Sequence, residues 1–429
     1  MAHCAFWALP AKFEATTTLA SRRTKSDTHL MGRTTGSANR PAATGDNAAM
    51  AQFKITNWNI KHMHDAIAPG GKDAARLPFI REQIAQMDPD ILCITEATPD
   101  LPLLQQWAAT LHVPYVVPII PGTAEALAKL PNNPRKALCK LYGYPDNPLS
   151  GSQWIWFLVK ASLNLGAELQ DPKIWRRFAA SQYADAADQQ RTDGKWGLYY
   201  WAERKAGLWN HVRQPQVLVA TTAGLRVELI GAHLRSKLNR TNPKDVWVDE
   251  ARTEFAIPFL AEVMNDRIKL ATEAENIRKY IDARFAQEAN PAVMVMGDLN
   301  DGPGREVFER KHLYFDLIGN LQGSIFEAER FLNHALFDYG TPVTGSGDGL
   351  RWSYKLSGKD PVDPTRDPHL LLDHIMFTQR LVAKDTLPRI GGGAGLVEHA
   401  IHERVNAMRP KKVPETSDHR PVSVSLTLS

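Results

Sequence analysis

Asp298 and Asn300, in the stretch Val293-Met-Val-Met-Gly-Asp-Leu-Asn300, have types and spacing that suggest chemistry. A carboxylate and an amide two residues apart at the end of an extended run point to the same side of it. Together they suit a hard divalent cation, a phosphate or an aimed water; an Asx-type turn closing the strand is the other reading. Polar groups recur at the ends of other apolar runs. Asn59 follows Phe53-Lys-Ile-Thr-Asn-Trp, Glu96 closes Ile91-Leu-Cys-Ile-Thr, and His233 lies in Gly231-Ala-His-Leu-Arg-Ser-Lys237. Asp373 interrupts Leu370-Leu-Leu-Asp-His-Ile-Met-Phe377, and Asp418-His419 stands just before a terminal alternating run. A carboxylate inside an apolar run needs a partner, because an unpaired buried charge is very costly. Arg235 and Lys237 occupy alternate positions beyond His233, an edge that could hold an anionic substrate.

These residues need strands and helices to position them. Val293–Met296, entered from Asn290-Pro291 and closed by Gly297, reads as a strand buried on both faces. Other strands are predicted over 53–60, 91–96, 154–159, 370–377 and 422–428, with a hairpin of 216–222 and 225–230 around Ala223-Gly224. Helices are predicted over 76–87, 101–111 and 269–285 from apolar residues recurring every three or four positions. Strand and helix alternate as in a layered protein. Insertions are predicted near 118–150, 161–212, 238–268 and 318–365, the first and last of them loop-rich. Trp154 to Trp209 hold six of the eleven tryptophans, which suits packing of an excursion against the body better than stacking on bases.

At 429 residues and 43% hydrophobic content, the chain can build one large core or two ordinary ones. No apolar run approaches the ~18 residues of a membrane span. Three widely separated cysteines give neither a disulfide framework nor a zinc spacing, which points to a reducing, cytoplasmic setting. Of the net charge of +4, three units fall in residues 1–49, so the rest lacks a strongly basic nucleic-acid footprint. That first segment is rich in Thr, Ser, Ala and Arg without periodicity. It reads as a disordered or artefactual extension ahead of a catalytic domain over 50–429, and a transit segment would have a similar composition. No obligate protein partner is evident.

Taken in order, Thr-Asn-Trp-Asn-Ile, Leu-Cys-Ile-Thr-Glu, Gly-Ala-His-Leu-Arg-Ser-Lys, Gly-Asp-Leu-Asn, Leu-Asp-His-Ile and Ser-Asp-His resemble the motifs of the endonuclease/exonuclease/phosphatase superfamily. They span residues 53–420, with the four insertions between them. The resemblance implies an α+β fold, a four-layered α/β/β/α sandwich of two packed mixed sheets flanked by helices. It also implies Mg²⁺-dependent hydrolysis of a phosphate ester, with Mn²⁺ as a substitute and one or two ions. By that match Glu96 is the principal metal ligand, with Asn59 and Asp418 beside it. Asp298 and Asn300 correspond to the pair that holds the attacking water and a phosphate oxygen. His419 with Asp373 corresponds to the imidazole and its orienting carboxylate, and His233 to the second histidine. Arg235 and Lys237 are candidates for substrate phosphate.

Residue chemistry is in keeping with this. A phosphodiester is anionic, so attack needs its oxygens neutralised and a water aimed and partly deprotonated. Two positions depart from the family: Lys61 stands where abasic-site enzymes carry an acid, and the region near Gln153 offers no acid to back His233. The expected activity is a nuclease acting on DNA or RNA. A phospholipid or inositol-phosphate esterase of the same fold is the alternative, and a catalytically silent binding protein the third reading.

Overall fold

The computed structural model describes residues 52–428 apart from 145–152, 164, 180–193, 202, 223–224, 238–244, 253, 303–305, 314–315, 317, 338–350, 359, 361, 363–364 and 366. The expectation for residues 1–49 lies outside the described residues, as do parts of all four insertions.

Two six-stranded mixed sheets form the body. The first runs in the order β15 (Arg389–Val397), β16 (Val422–Thr427), β1 (Gln52–Asn59), β2 (Ile91–Ala97), β4 (Trp154–Lys160), β3 (Tyr115–Val116). The second runs β11 (Asn333–His334), β14 (Asp373–Phe377), β10 (Ala292–Asp298), β9 (Leu225–His233), β8 (Gln216–Thr222), β5 (Gly166–Leu169). Two small ribbons pair β6 (Trp196–Tyr200) with β7 (Lys205–Trp209) and β12 (Tyr354–Lys355) with β13 (His369–Leu370). The helices are α1 (Met63–Ile67), α2 (Leu77–Met87), α3 (Leu101–Ala109), α4 (Thr123–Lys129), α5 (Pro134–Tyr142), α6 (Ile257–Gln287), α7 (Gly319–Gln322) and α8 (His399–Met408).

Side-chain alternation sets the layers. In β10, Met294 and Met296 enter the core between the sheets, while Val293 and Val295 join Leu270, Ile277 and Ile281 of α6 in a second core on the other face. Burial on both faces is why that run carries no polar residue. In β1 the odd positions face the second sheet, with Asn57 Nδ2 3.4 Å from Asp373 Oδ1. On the opposite face Lys54 Nζ donates to Met87 O at the end of α2 (2.9 Å) and pairs with Glu398 at the start of α8 (2.6 Å). Helix, sheet, sheet and helix are thus stacked in the four layers expected. Gly231 lets the sheets approach, since a Cβ there would lie 2.9 Å from Ile155 and 3.0 Å from Phe157.

Three stretches differ from expectation. Residues 118–144 hold two helices rather than loop. Asn133-Pro134 is a helix start: Asn133 accepts a bond from Lys136 N at 3.1 Å and Pro134 opens α5, which buries Leu138, Cys139 and Tyr142. α6 begins at Ile257, twelve residues ahead of the predicted Lys269. Its first turns bury Phe259 and Val263 in a separate cluster with Val246, Phe255 and Phe308, so their stripe does not continue the later one. The predicted strand over 370–377 is broken, because Leu372 N and Asp373 N both donate to Ser353 Oγ (3.1 and 2.9 Å). β15 and α8 carried no sequence expectation.

Candidate active site

Strand pairing assembles one cluster. In the second sheet Asp298 is the register partner of His233 on one side and of Asp373 on the other. In the first, Asn59 pairs with Thr95, and Glu96 follows. β16 runs antiparallel to β1, which brings Ser417-Asp418-His419 to the same end. Ser417 Oγ donates to Asn59 O (2.6 Å) and accepts from His419 N (3.1 Å), while Trp58 Nε1 donates to His419 O (3.1 Å). Trp58 and Ser417, quoted only as parts of motifs, are therefore the ties between the first strand and the last loop.

His419 Nδ1 donates to Asp373 Oδ2 at 2.7 Å, since an ionised carboxylate only accepts. Its Nε2 lies 3.8 Å from Asp298 Oδ2, and His233 Nε2 lies 3.5 Å from that same oxygen. Asn59 Nδ2 donates to it at 2.9 Å and reaches Glu96 Oε1 at 3.4 Å. Burial pushes the Asp298 carboxyl up to about 7, against the pull of the His419 charge. Burial opposes charge on His419 too, but the Asp373 and Asp298 carboxylates outweigh it and hold the imidazole up at about 10. His233 goes the other way: burial, then the charges of Arg213 and His419, hold it well below the ordinary range. Its Nδ1 is buried without a hydrogen-bond partner among the described residues. Among the described residues, no acid is hydrogen-bonded to that nitrogen.

Asn300 is not presented by an extended backbone, as the spacing alone suggested. Its φ is 53°, its N–H donates to Asp298 Oδ1 at 2.9 Å in an Asx-type turn, and its Nδ2 donates to Leu234 O at 3.0 Å. Glu96 is likewise left-handed, with φ of 53°, beside an irregularity in the β2–β4 ladder. Asp418 pairs with Lys61 at 2.7 Å, so the lysine that departs from the family pattern sits on one of the candidate ligands.

The two cations expected to meet phosphate are engaged elsewhere. Arg235 Nη2 is 3.2 Å from Asp266 of α6, and its N–H donates to Glu273 Oε2 at 2.8 Å. Lys237 pairs with Asp301 and, at 2.9 Å, with Glu309. Arg213, which sequence reasoning missed, is at the cluster instead. It donates to Gln153 Oε1 (2.7 Å) and to Leu234 O (3.0 Å), the carbonyl that also holds Asn300. A signal existed: β8 and β9 are antiparallel, so residues ahead of β8 fall beside His233. Tyr354 was missed too; its ring lies 4.7 Å from that of His419. Burial and then the charges of Asp418, Asp298 and Glu96 raise its phenol. Buried Arg76 supports the rim, donating to Thr416 O (3.2 Å) and to Lys61 O.

Among the described residues, Asp298, Asp373 and His419 offer donor atoms within 4.8 Å of one another. His419 and Asp373 are already bonded to each other through Nδ1 and Oδ2, which makes the group a dyad and its neighbour rather than an open cage. Asn59 Oδ1 and Asp418 Oδ1, in contrast, are buried with no hydrogen-bond partner among the described residues. A carboxylate oxygen and an amide oxygen left unpaired, with Asn59 beside Glu96 at 3.4 Å, are donors of the kind a hard divalent cation takes.

No family model and no curated protein matches the chain. Among solved structures, it is similar to truncated TDP2 of Caenorhabditis elegans, at 13% identity and TM-score 0.41 over 88% of this chain and 98% of that one. A mannosyl-6-phosphatase of Bacteroides thetaiotaomicron gives 11% and 0.41, covering 87% and 99%. The human Nocturnin catalytic domain, with bound sulfate, gives 14% and 0.38, covering 88% and 95%. In its four layers and in the order of polar residues at its strand ends, the chain resembles the endonuclease/exonuclease/phosphatase superfamily.

Proposed function

We propose that the chain is a divalent-metal-dependent phosphodiesterase, and that its substrate is nucleic acid. The observation that carries this is the meeting of His419, His233 and Asn59 around one oxygen, Asp298 Oδ2, beside the unpaired oxygens of Asn59 and Asp418. Glu96, Asn59 and Asp418 would hold the ion, Mg²⁺ or in its place Mn²⁺, which supplies charge neutralisation at the phosphate oxygens.

The remaining work belongs to side chains. Asp298, raised toward neutrality by burial, takes the proton of a water that Asn300 helps to place. His419, kept cationic by Asp373, stabilises negative charge developing on the phosphate. His233 is neutral and acts as a hydrogen-bonding group rather than a cation. Arg213, whose charge acts on His233, is fixed by Gln153 and Leu234 O. Asn300 Nδ2 is committed to Leu234 O, which leaves its carbonyl for the water. Tyr354, a flat ring against His419, suits a base or sugar at the rim, and this favours a nucleic acid over a lipid head group.

The test offers duplex DNA, single-stranded DNA, RNA, sphingomyelin and phosphoinositides to the purified chain with Mg²⁺ or Mn²⁺. Glu96→Gln, Asp298→Asn and His419→Ala are run in parallel. Each substitution is expected to lower the rate at least ~100-fold on a nucleic acid. Turnover of lipids alone would reject the substrate class, and near wild-type rates in two of the variants would reject the roles.

A further inference from the structure

His62 follows the first motif and was given no role by it. Its backbone is left-handed, with φ of 45°, although it is neither Gly, Asn nor Asp. Such a conformation costs of order 1 kcal/mol and persists where the surroundings fix it. Here both ends of the residue address one atom. The His62 N–H donates to Glu96 Oε2 at 2.9 Å, and its ring Nδ1 lies 3.4 Å from the same oxygen. The ring is 45% exposed and is not needed to fill the core.

We infer that His62 Nδ1 is a nitrogen donor to the cation held at Glu96, making the site a mixed nitrogen–oxygen one. This rests on the metal reading of Glu96 given above. Neighbouring donors on an octahedral ion with bonds of about 2.1 Å lie about 3 Å apart, close to the separation of Nδ1 and Oε2. Carboxylate and amide oxygens favour Mg²⁺, whereas imidazole favours later first-row ions, so one nitrogen shifts preference toward Co²⁺ without removing Mg²⁺ binding. Lys61 next to it acts in the same direction. Its ammonium on Asp418 takes up part of the anionic charge available to a hard ion, leaving the ring nitrogen with a larger share of the selectivity.

The experiment titrates Mg²⁺ and Co²⁺ calorimetrically into the metal-free full chain, into His62→Ala and into Glu96→Gln, and records the ¹⁴N spin-echo modulation of bound Mn²⁺. His62→Ala is expected to weaken Co²⁺ at least ~10-fold and Mg²⁺ less than ~3-fold. Its Mn²⁺ signal should lose a nitrogen coupling that the unsubstituted chain has. Unchanged modulation, or equal weakening of both ions, overturns the inference on His62. Glu96→Gln separates the two failures: if it binds both ions as the unsubstituted chain does, the metal reading of Glu96 falls as well. The thermal transition of metal-free His62→Ala, expected unchanged because the ring is exposed, excludes unfolding as the cause of weaker binding.

Discussion

At the scale of single residues, the site depends on opposite treatment of two histidines. His419 has a carboxylate on Nδ1 and a second one near Nε2; His233 has a buried Nδ1 without a partner among the described residues, and the charge of Arg213 acts on it. Removing the charge of Asp373 tests this directly. In Asp373→Asn without metal, the His419 imidazole should titrate several pH units below its position in the parent, which histidine NMR reads. Hydrolysis should fall by about 10²-fold or more, because the ring is neither charged nor held in its tautomer. A His419 that titrates unchanged would mean that Asp298, not Asp373, holds its charge. Most of these residues were legible in sequence because each ends an apolar run. Arg213 was not, because its role comes from a β8–β9 pairing and from Gln153, far away in the chain. Arg235 and Lys237 were legible only as charges. That α6 and the turn after Asn300 would claim them depended on side chains 31 and 64 or more residues away.

At the scale of elements, short stretches of backbone fix the active end. Gly297 has φ of 145°, and a Cβ on it would overlap the Ala232 carbonyl on the adjacent strand. Gly297→Ala is expected to cost roughly 3 kcal/mol or more, as combined backbone strain and overpacking do, measured by urea unfolding. A loss below about 1 kcal/mol would show that β9 and β10 separate easily there. On the other face of the first sheet, His402 of α8 accepts from Gln83 of α2 at 3.2 Å, while Gln83 Oε1 accepts from Thr416 at 2.6 Å, which fixes the amide. Burial, reinforced by Arg420 and other nearby charges, pushes this imidazole down to about 3. Because the folded value lies below the unfolded one near 6.5, the unfolded chain binds more protons between the two. Stability is therefore full above about pH 6.5 and is lost as pH falls, by up to about 1.4 kcal/mol per unit. His402→Gln should reduce the loss between pH 7.5 and 5 by about 2 kcal/mol in denaturant titrations, and an unaltered slope would count against it. Strand positions were readable from apolar runs and hairpin signals. Helix α5 was not, since Asn133-Pro134 serves equally as loop punctuation and as a helix cap, and only the burial of Leu138 and Tyr142 distinguishes the two.

At the scale of the whole molecule, two sheets stacked with their polar strand ends together make one cleft end out of residues from Asn59 to His419. The net charge after residue 49 is close to neutral, so long nucleic acid would be held by few phosphate contacts. The slope of log affinity for duplex DNA against log salt should accordingly be shallow, about −2 to −4, as for two to four phosphates neutralised. A slope near −10 would require a basic surface that the composition does not supply. No helix among the described residues is long and apolar enough to cross a membrane.

The convergence itself is tested most directly by following cleavage of the best nucleic-acid substrate through removal and return of the ion. EDTA should stop the parent chain, and Mg²⁺ should restore it. Glu96→Gln should recover only at much higher Mg²⁺, and Asp298→Asn should stay at least ~100-fold slow at any Mg²⁺ concentration. Undiminished cleavage in EDTA, or full recovery of Asp298→Asn, would contradict the account.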